Sequence, residues 1–233
     1  MREEKGEAGR KPKRNRSKVL GTAGFVLVGV LLAACAVIRG VWGDAFWYGV
    51  QDVLGLQDFS RYAERYPFAI HVLNVGKADA ILLECKGSFV LIDGGTPEQG
   101  DTVRQYLKRR GVEFLTYIIN THPDRDHIGG LPEVVRSIPS NSVWVPAFED
   151  DPENPYIQQL KESMERYGPM YLKAQAGRVF YLGGWKGAKC ELIAPLFDAG
   201  ESNNNSLVFR ITYGKTSFLL MGDAEADEEW SLL

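Results

Sequence analysis

The chain has 233 residues, 45% of them hydrophobic and 24% charged, with a formal net charge of −3. That is the composition of an ordinary globular protein, and three cysteines are too few and too odd in number for a disulfide framework. The charge is unevenly spread: residues 1–18 hold eight Lys/Arg and three Glu, which leaves 19 basic and 27 acidic side chains, a net of −8, for the rest. An acidic domain is poorly suited to broad, non-specific nucleic-acid binding, although a metal site could still supply local positive charge for a phosphodiester.

Residues 1–18 read as a basic head. Residues 19–38 follow as an uncharged run of 20 residues. At ~1.5 Å per residue such a helix spans a ~30 Å hydrocarbon layer. The basic flank places the N-terminus in the cytoplasm and the remainder outside. Leu32-Ala-Ala-Cys35 also fits a lipobox, with a signal peptide cleaved before a lipidated Cys35. The apolar run continues beyond Cys35 and favours an uncleaved anchor. Either outcome tethers the domain to the cell membrane on its extracytoplasmic side. Residues 39–66 form a linker whose Trp42, Phe46, Trp47 and Tyr48 suit either a membrane interface or a short amphipathic helix.

The domain occupies 67–233. Strands are expected at 68–75, 80–84 and 88–92, an antiparallel meander whose corners carry turn residues, including Asp93-Gly-Gly95. A helix at 101–110 places Val103, Tyr106 and Leu107 on one face and stops at Gly111. A strand at 115–120 leads directly into Thr121-His-Pro-Asp-Arg-Asp-His-Ile-Gly-Gly130. A helix at 131–138, a strand at 142–145 and a helix around Ile157, Leu160 and Met164 come next. Strands at 178–182, 190–193, 207–212 and 217–221 and an acidic helix at 225–233 complete the chain. Cys85 and Cys190 fall in strands and read as buried apolar side chains. Strand clusters interleaved with helices imply an α/β sandwich.

Residues 121–130 concentrate the chemistry. Two of the three histidines and two carboxylates crowd one short loop at the carboxyl end of a strand. Neutral imidazole and carboxylate are the usual ligands of a hydrolytic Zn²⁺ or Mn²⁺. The competing reading is a polar turn whose acids cap the next helix. The third histidine, His71, lies within a strand and reads as structural.

Five segments occur in the order of a known family: Asn74-Val-Gly-Lys-Ala-Asp-Ala80, Leu91-Ile-Asp-Gly-Gly95, His122-Pro-Asp-Arg-Asp-His-Ile-Gly-Gly130, Asn205-Ser-Leu-Val208 and Leu219-Leu-Met-Gly-Asp223. From about Phe68 onward the chain resembles the metallo-β-lactamase superfamily, and most of all the hydrolase domain of ComEC-type competence proteins. The resemblance implies an αββα sandwich and two divalent metal ions, Zn or Mn. By position, His122 and Asp124 would hold one ion, Asp126 and His127 the second, and Asp223 would bridge them. Asp79 and Asp93 would support these ligands from behind. Asp126 would also orient the nucleophile, a water whose pKa two ions about 3.5–4 Å apart would lower.

Two departures stand out. Glu201-Ser-Asn-Asn-Asn-Ser206 lies where the family has a third-motif His. The chain also stops about ten residues after Asp223, so the domain reads as C-terminally truncated, with no later His and an unpaired sheet edge. The expected function is a membrane-tethered metal-dependent hydrolase of phosphodiesters, in nucleic acid or a cell-wall phosphoester, or of another ester or amide. The alternative is a degenerate scaffold that keeps the fold without the chemistry.

Overall fold

In the computed structural model, the described residues are 67–148 and 151–231, preceded only by 29, 30, 34 and 37. The expected basic head, the linker and nearly all of the expected membrane segment lie outside them. Among the described residues no helix is long and apolar enough to cross a membrane.

Among the described residues, ten strands form two sheets. The first runs in sequence order: β1 (Phe68–Val72), β2 (Ile81–Cys85), β3 (Ser88–Ile92), β4 (Leu115–Ile119), β5 (Ser140–Pro146) and β6 (Met170–Ala174). The expected antiparallel meander is β1–β3, and β3 to β6 are parallel. Parallel neighbours need a crossover, and helices supply it: α1 (Gly100–Arg109), α2 (Arg125–Ile128) with α3 (Leu131–Ser137), and α4 (Pro155–Tyr167). The second sheet is wholly antiparallel, in the order β10 (Thr216–Leu220), β9 (Val208–Tyr213), β8 (Ala188–Ala194), β7 (Val179–Leu182).

Both faces of the first sheet are covered, which accounts for its nearly continuous apolar strands. Leu82, Leu91, Ile118 and Val143 pack with Val103, Leu107, Val134 and Leu160 of the helices. Their strand neighbours Leu83, Val90, Ile92, Ile119 and Trp144 point the other way, into the inner face of the second sheet, where they meet Phe180, Leu182, Cys190, Leu192 and Phe209. Cys85 and Cys190 are buried free thiols in this inter-sheet layer.

The second sheet is buried on one face only. Along β8, Ala188, Cys190, Leu192 and Ala194 are buried while the residues between them are partly exposed. On the outer face Glu191 bonds Lys189 and Arg210, while Val179, Tyr181 and Leu219 are exposed. The α/β metallo-β-lactamase-type sandwich expected from the motifs is thus formed. Three of its four expected layers are described; no described helix covers the outer face of the second sheet.

Three local elements differ from expectation. The first strand ends at Val72, because residues 73–80 turn toward the next loop. The loop 121–130 contains a turn of helix, α2. Residues 170–174, for which no element is expected, form the parallel edge strand β6. The terminal helix, α5, spans Ala226–Ser231.

His71 is structural, as expected. Its Nε2 meets Glu84 at 3.1 Å, its Nδ1 meets the Tyr106 hydroxyl at 3.0 Å, and Arg110 donates to the same Glu84 carboxylate. This buried network ties β1 and β2 to α1.

Candidate metal centre

Parallel β3 and β4 lie side by side, so their carboxyl ends open into the same crevice, a common location for sites in open α/β sheets. Asp93 follows β3 and Asn120 to His127 follow β4. The pairing continues one step past the strands, since the Asp93 amide donates to the Ile119 carbonyl at 2.8 Å.

Asp93 has a left-handed backbone, φ +58°, an uncommon conformation that Asp tolerates better than most residues. It turns a buried carboxylate back across the end of β4. One oxygen accepts from the Thr121 amide at 2.8 Å and from Asn120 Nδ2 at 3.3 Å. The other accepts from the Thr121 hydroxyl at 2.6 Å and from His127 Nδ1 at 2.9 Å. Four donors fill its acceptor capacity.

Backbone bonds knit three loops around it. Gly94 donates to His127, Gly95 to Asp79, Asp79 to Asp126 and Gly130 to Gly95. The approach is so close that a Cβ on Gly130 would sit 2.0 Å from the Gly94 carbonyl oxygen, and one on Gly94 would sit 2.7 Å from the Leu131 amide. This explains the glycine pairs at 94–95 and 129–130. Asn154 adds a brace from α4: its Oδ1 caps that helix through the Tyr156 and Ile157 amides, while its Nδ2 donates to the Pro123 carbonyl.

The second sheet approaches from the other side. The Leu207 amide donates to the Thr121 carbonyl at 2.9 Å. Gly222, at φ +57°, lies so near Thr121 that an added Cβ would meet its side chain at 3.0–3.1 Å. This close approach delivers Asp223. Side-chain ligand atoms of His122, His127 and Asp223 all lie within 4.8 Å of one another. The rings of His122 and His127 are 4.1 Å apart, and His127 Nε2 is 3.3 Å from Asp223 Oδ1.

The other expected site residues occupy different places. Asp124 is half-exposed at the rim, with Oδ2 4.0 Å from His122 Nε2 and Oδ1 accepting from the Ser202 hydroxyl at 2.9 Å. Asp126 is not part of the close triad. It precedes His127 on α2, where successive side chains diverge by about 100°, and it joins the site through its carbonyl and its charge near Asp79. Asp79 and Asp93 stand behind the triad. Thr121, Ser202 and Ser206 escape sequence reasoning. Thr121 adjoins His122 in the motif, but nothing local reveals that its hydroxyl faces β3.

The two imidazoles have opposite electrostatics. Burial, then the charge of His127, holds the His122 pKa below its usual value against Asp93, Asp124 and Asp223. For His127 burial also acts downward, but the hydrogen bond and charge of Asp93, then Asp223 and Asp79, outweigh it and raise the pKa to about 9. Burial raises the Asp79 carboxyl, partly opposed by His127.

A divalent cation fits this donor set. His122 Nε2 is buried and has no hydrogen-bond partner. An unpartnered buried nitrogen is costly, and this one lies beside a second imidazole and a carboxylate. Two imidazoles and a carboxylate are a ligand set of catalytic zinc.

The metallo-β-lactamase superfamily model matches residues 73–233. Recombination protein 2 of Haemophilus influenzae is 28% identical over 167 residues, which cover 69% of this chain and 19% of that protein. ComE operon protein 3 of Bacillus subtilis is 25% identical over 130 residues, covering 55% and 16%. Hydroxyacylglutathione hydrolase of Prochlorococcus marinus is 32% identical over 81 residues, covering 34% and 30%. The chain thus spans under a third of the length of each of these relatives. With motifs, sandwich and converging His/His/Asp triad in agreement with that match, the chain belongs to the metallo-β-lactamase superfamily, whose members are generally hydrolases that bind divalent metals.

Proposed function

We propose that this domain is a metal-dependent hydrolase of phosphodiesters, with nucleic acid as one candidate substrate and a cell-wall phosphoester as another. The observation that carries this reading is the buried His122 Nε2, which has no hydrogen-bond partner, beside His127 and Asp223. The name of the recombination relative favours nucleic acid. In this reading His122, Asp124, Asp126, His127 and Asp223 hold two ions, Zn or Mn, and Asp79 and Asp93 steady them. A bound divalent cation supplies Lewis acidity, which polarises a phosphoryl oxygen and makes water acidic enough to attack near neutral pH. His122 and His127 present fixed nitrogens, Asp223 brings negative charge from the second sheet, and Asp126 accepts a hydrogen bond from the attacking water. Residues 19–38 tether the domain to the membrane, outside the cytoplasm.

The absence of a third-motif His, with Asn204 and Asn205 buried in that region, favours a second reading as a metal-free scaffold. One experiment separates the two. The purified chain is expected to retain close to two equivalents of Zn or Mn and to cleave bis(p-nitrophenyl) phosphate. Asp126→Asn is expected to lower that cleavage at least 100-fold, the usual scale for a general acid–base group. Retention of no metal by a folded chain would support the scaffold.

A further inference from the structure

Two histidines of the triad have to present the same kind of atom. Each imidazole has two nitrogens, and the hydrogen bond made by one decides which proton state the other shows. His127 is simple: Nδ1 faces Asp93 Oδ2 at 2.9 Å, so Nε2 is turned to Asp223. His122 touches no carboxylate at Nδ1. Its Nδ1 lies 3.1 Å from the Thr121 hydroxyl and 3.4 Å from the Ser206 hydroxyl.

We propose that Thr121 is a positioning residue: its hydroxyl relays the orienting effect of Asp93 to His122, so that one carboxylate keeps a proton on Nδ1 of both histidines and turns Nε2 of both toward the site. This rests on their assignment above as metal ligands. A threonine hydroxyl has one hydrogen. The 2.6 Å approach to Asp93 Oδ2 commits that hydrogen to the carboxylate, which cannot donate in return. Toward His122 the hydroxyl oxygen can then only accept, so Nδ1 of the neutral ring carries the proton. The lone pair is left on Nε2, the atom with no hydrogen-bond partner. Ser206 could impose the opposite state by donating to Nδ1, but it is the more distant hydroxyl and Thr121 has no second hydrogen with which to share that role.

The surroundings of Thr121 fit a part whose position matters. It is buried, its amide and hydroxyl both bond Asp93, and its carbonyl receives the Leu207 amide of the second sheet. Gly222 leaves room for its side chain immediately before Asp223. One residue therefore meets the ligands of the first sheet and the segment bearing the ligand of the second.

The test uses the whole chain stripped of metal, with imidazole nitrogens followed by NMR near neutral pH. His122 is expected to show protonated Nδ1 and bare Nε2. Thr121→Val keeps the shape and removes the hydroxyl; it should abolish that single state and weaken Zn²⁺ binding about 10- to 100-fold. Thr121→Ser should restore both, and Ser206→Ala should change neither. Protonated Nε2 on wild-type His122 overturns the relay without any variant having to fold. So does a Thr121→Val protein with unchanged ring state and affinity. If the ring states follow the relay but no metal binds, the relay stands and the hydrolase reading fails.

Discussion

A single carboxylate, Asp93, meets four donors and dominates the electrostatics around it. It is the main reason that the His127 pKa reaches about 9 despite burial. A pKa raised on folding stabilises the protein fully below the usual histidine value of 6.5, and that stabilisation is lost as pH rises through about 9. The shift corresponds to about 3 kcal/mol for this buried ring. Urea unfolding of metal-free protein across that window should show this loss. Asp93→Asn, which tolerates the left-handed backbone, should flatten the pH dependence and reduce stability on the acid side. An equally steep profile in the variant would remove Asp93 as its cause.

At the scale of elements, the metal loop is an interlock of backbone more than of side chains. Gly130→Ala would drive a Cβ against the Gly94 carbonyl oxygen, and both partners are main chain, so neither can swing aside. We expect a loss of at least about 3 kcal/mol, toward the upper end for single substitutions, and loss of metal binding. Gly111→Ala is the control: it also has positive φ, +72°, but meets nothing within 4 Å. It should cost only about 1–2 kcal/mol. Thermal unfolding of the two variants distinguishes packing from backbone freedom.

The same scale shows what could be read from the chain. Alternation and turn residues give the meander, α1, α3 and α4, because each buries a regular apolar pattern. The strand β6 is missed because it is a short edge strand beside α4 with only Ala174 fully buried. All three residues of the triad are named from the sequence: His122 and His127 stand out by their spacing, and Asp223 through the family resemblance alone. Whether Asp126 points with them depends on the helical turn of α2, and the service of Thr121 depends on β3 and β9 arriving beside it. Both are tertiary facts with no local signature.

At the scale of the whole molecule, the first sheet contributes His122 and His127, and the second contributes Asp223. An ion held by all three therefore acts as a clasp across the sandwich, pinning layers otherwise joined there by apolar packing, the Leu207–Thr121 backbone bond and the hydroxyl contacts of Ser202 with Asp124 and Ser206 with His122. Binding that requires both layers adds its free energy to folding: about 4 kcal/mol when free cation exceeds the dissociation constant a thousandfold. Chelation should lower Tm by roughly 8 °C or more for a domain of this size, and Asp223→Ala should remove most of that difference. An unchanged melting curve with and without chelator would mean that no such clasp forms. The seam between the sheets would then open and close without regard to metal, and cation supply would have no hold over how long the fold survives.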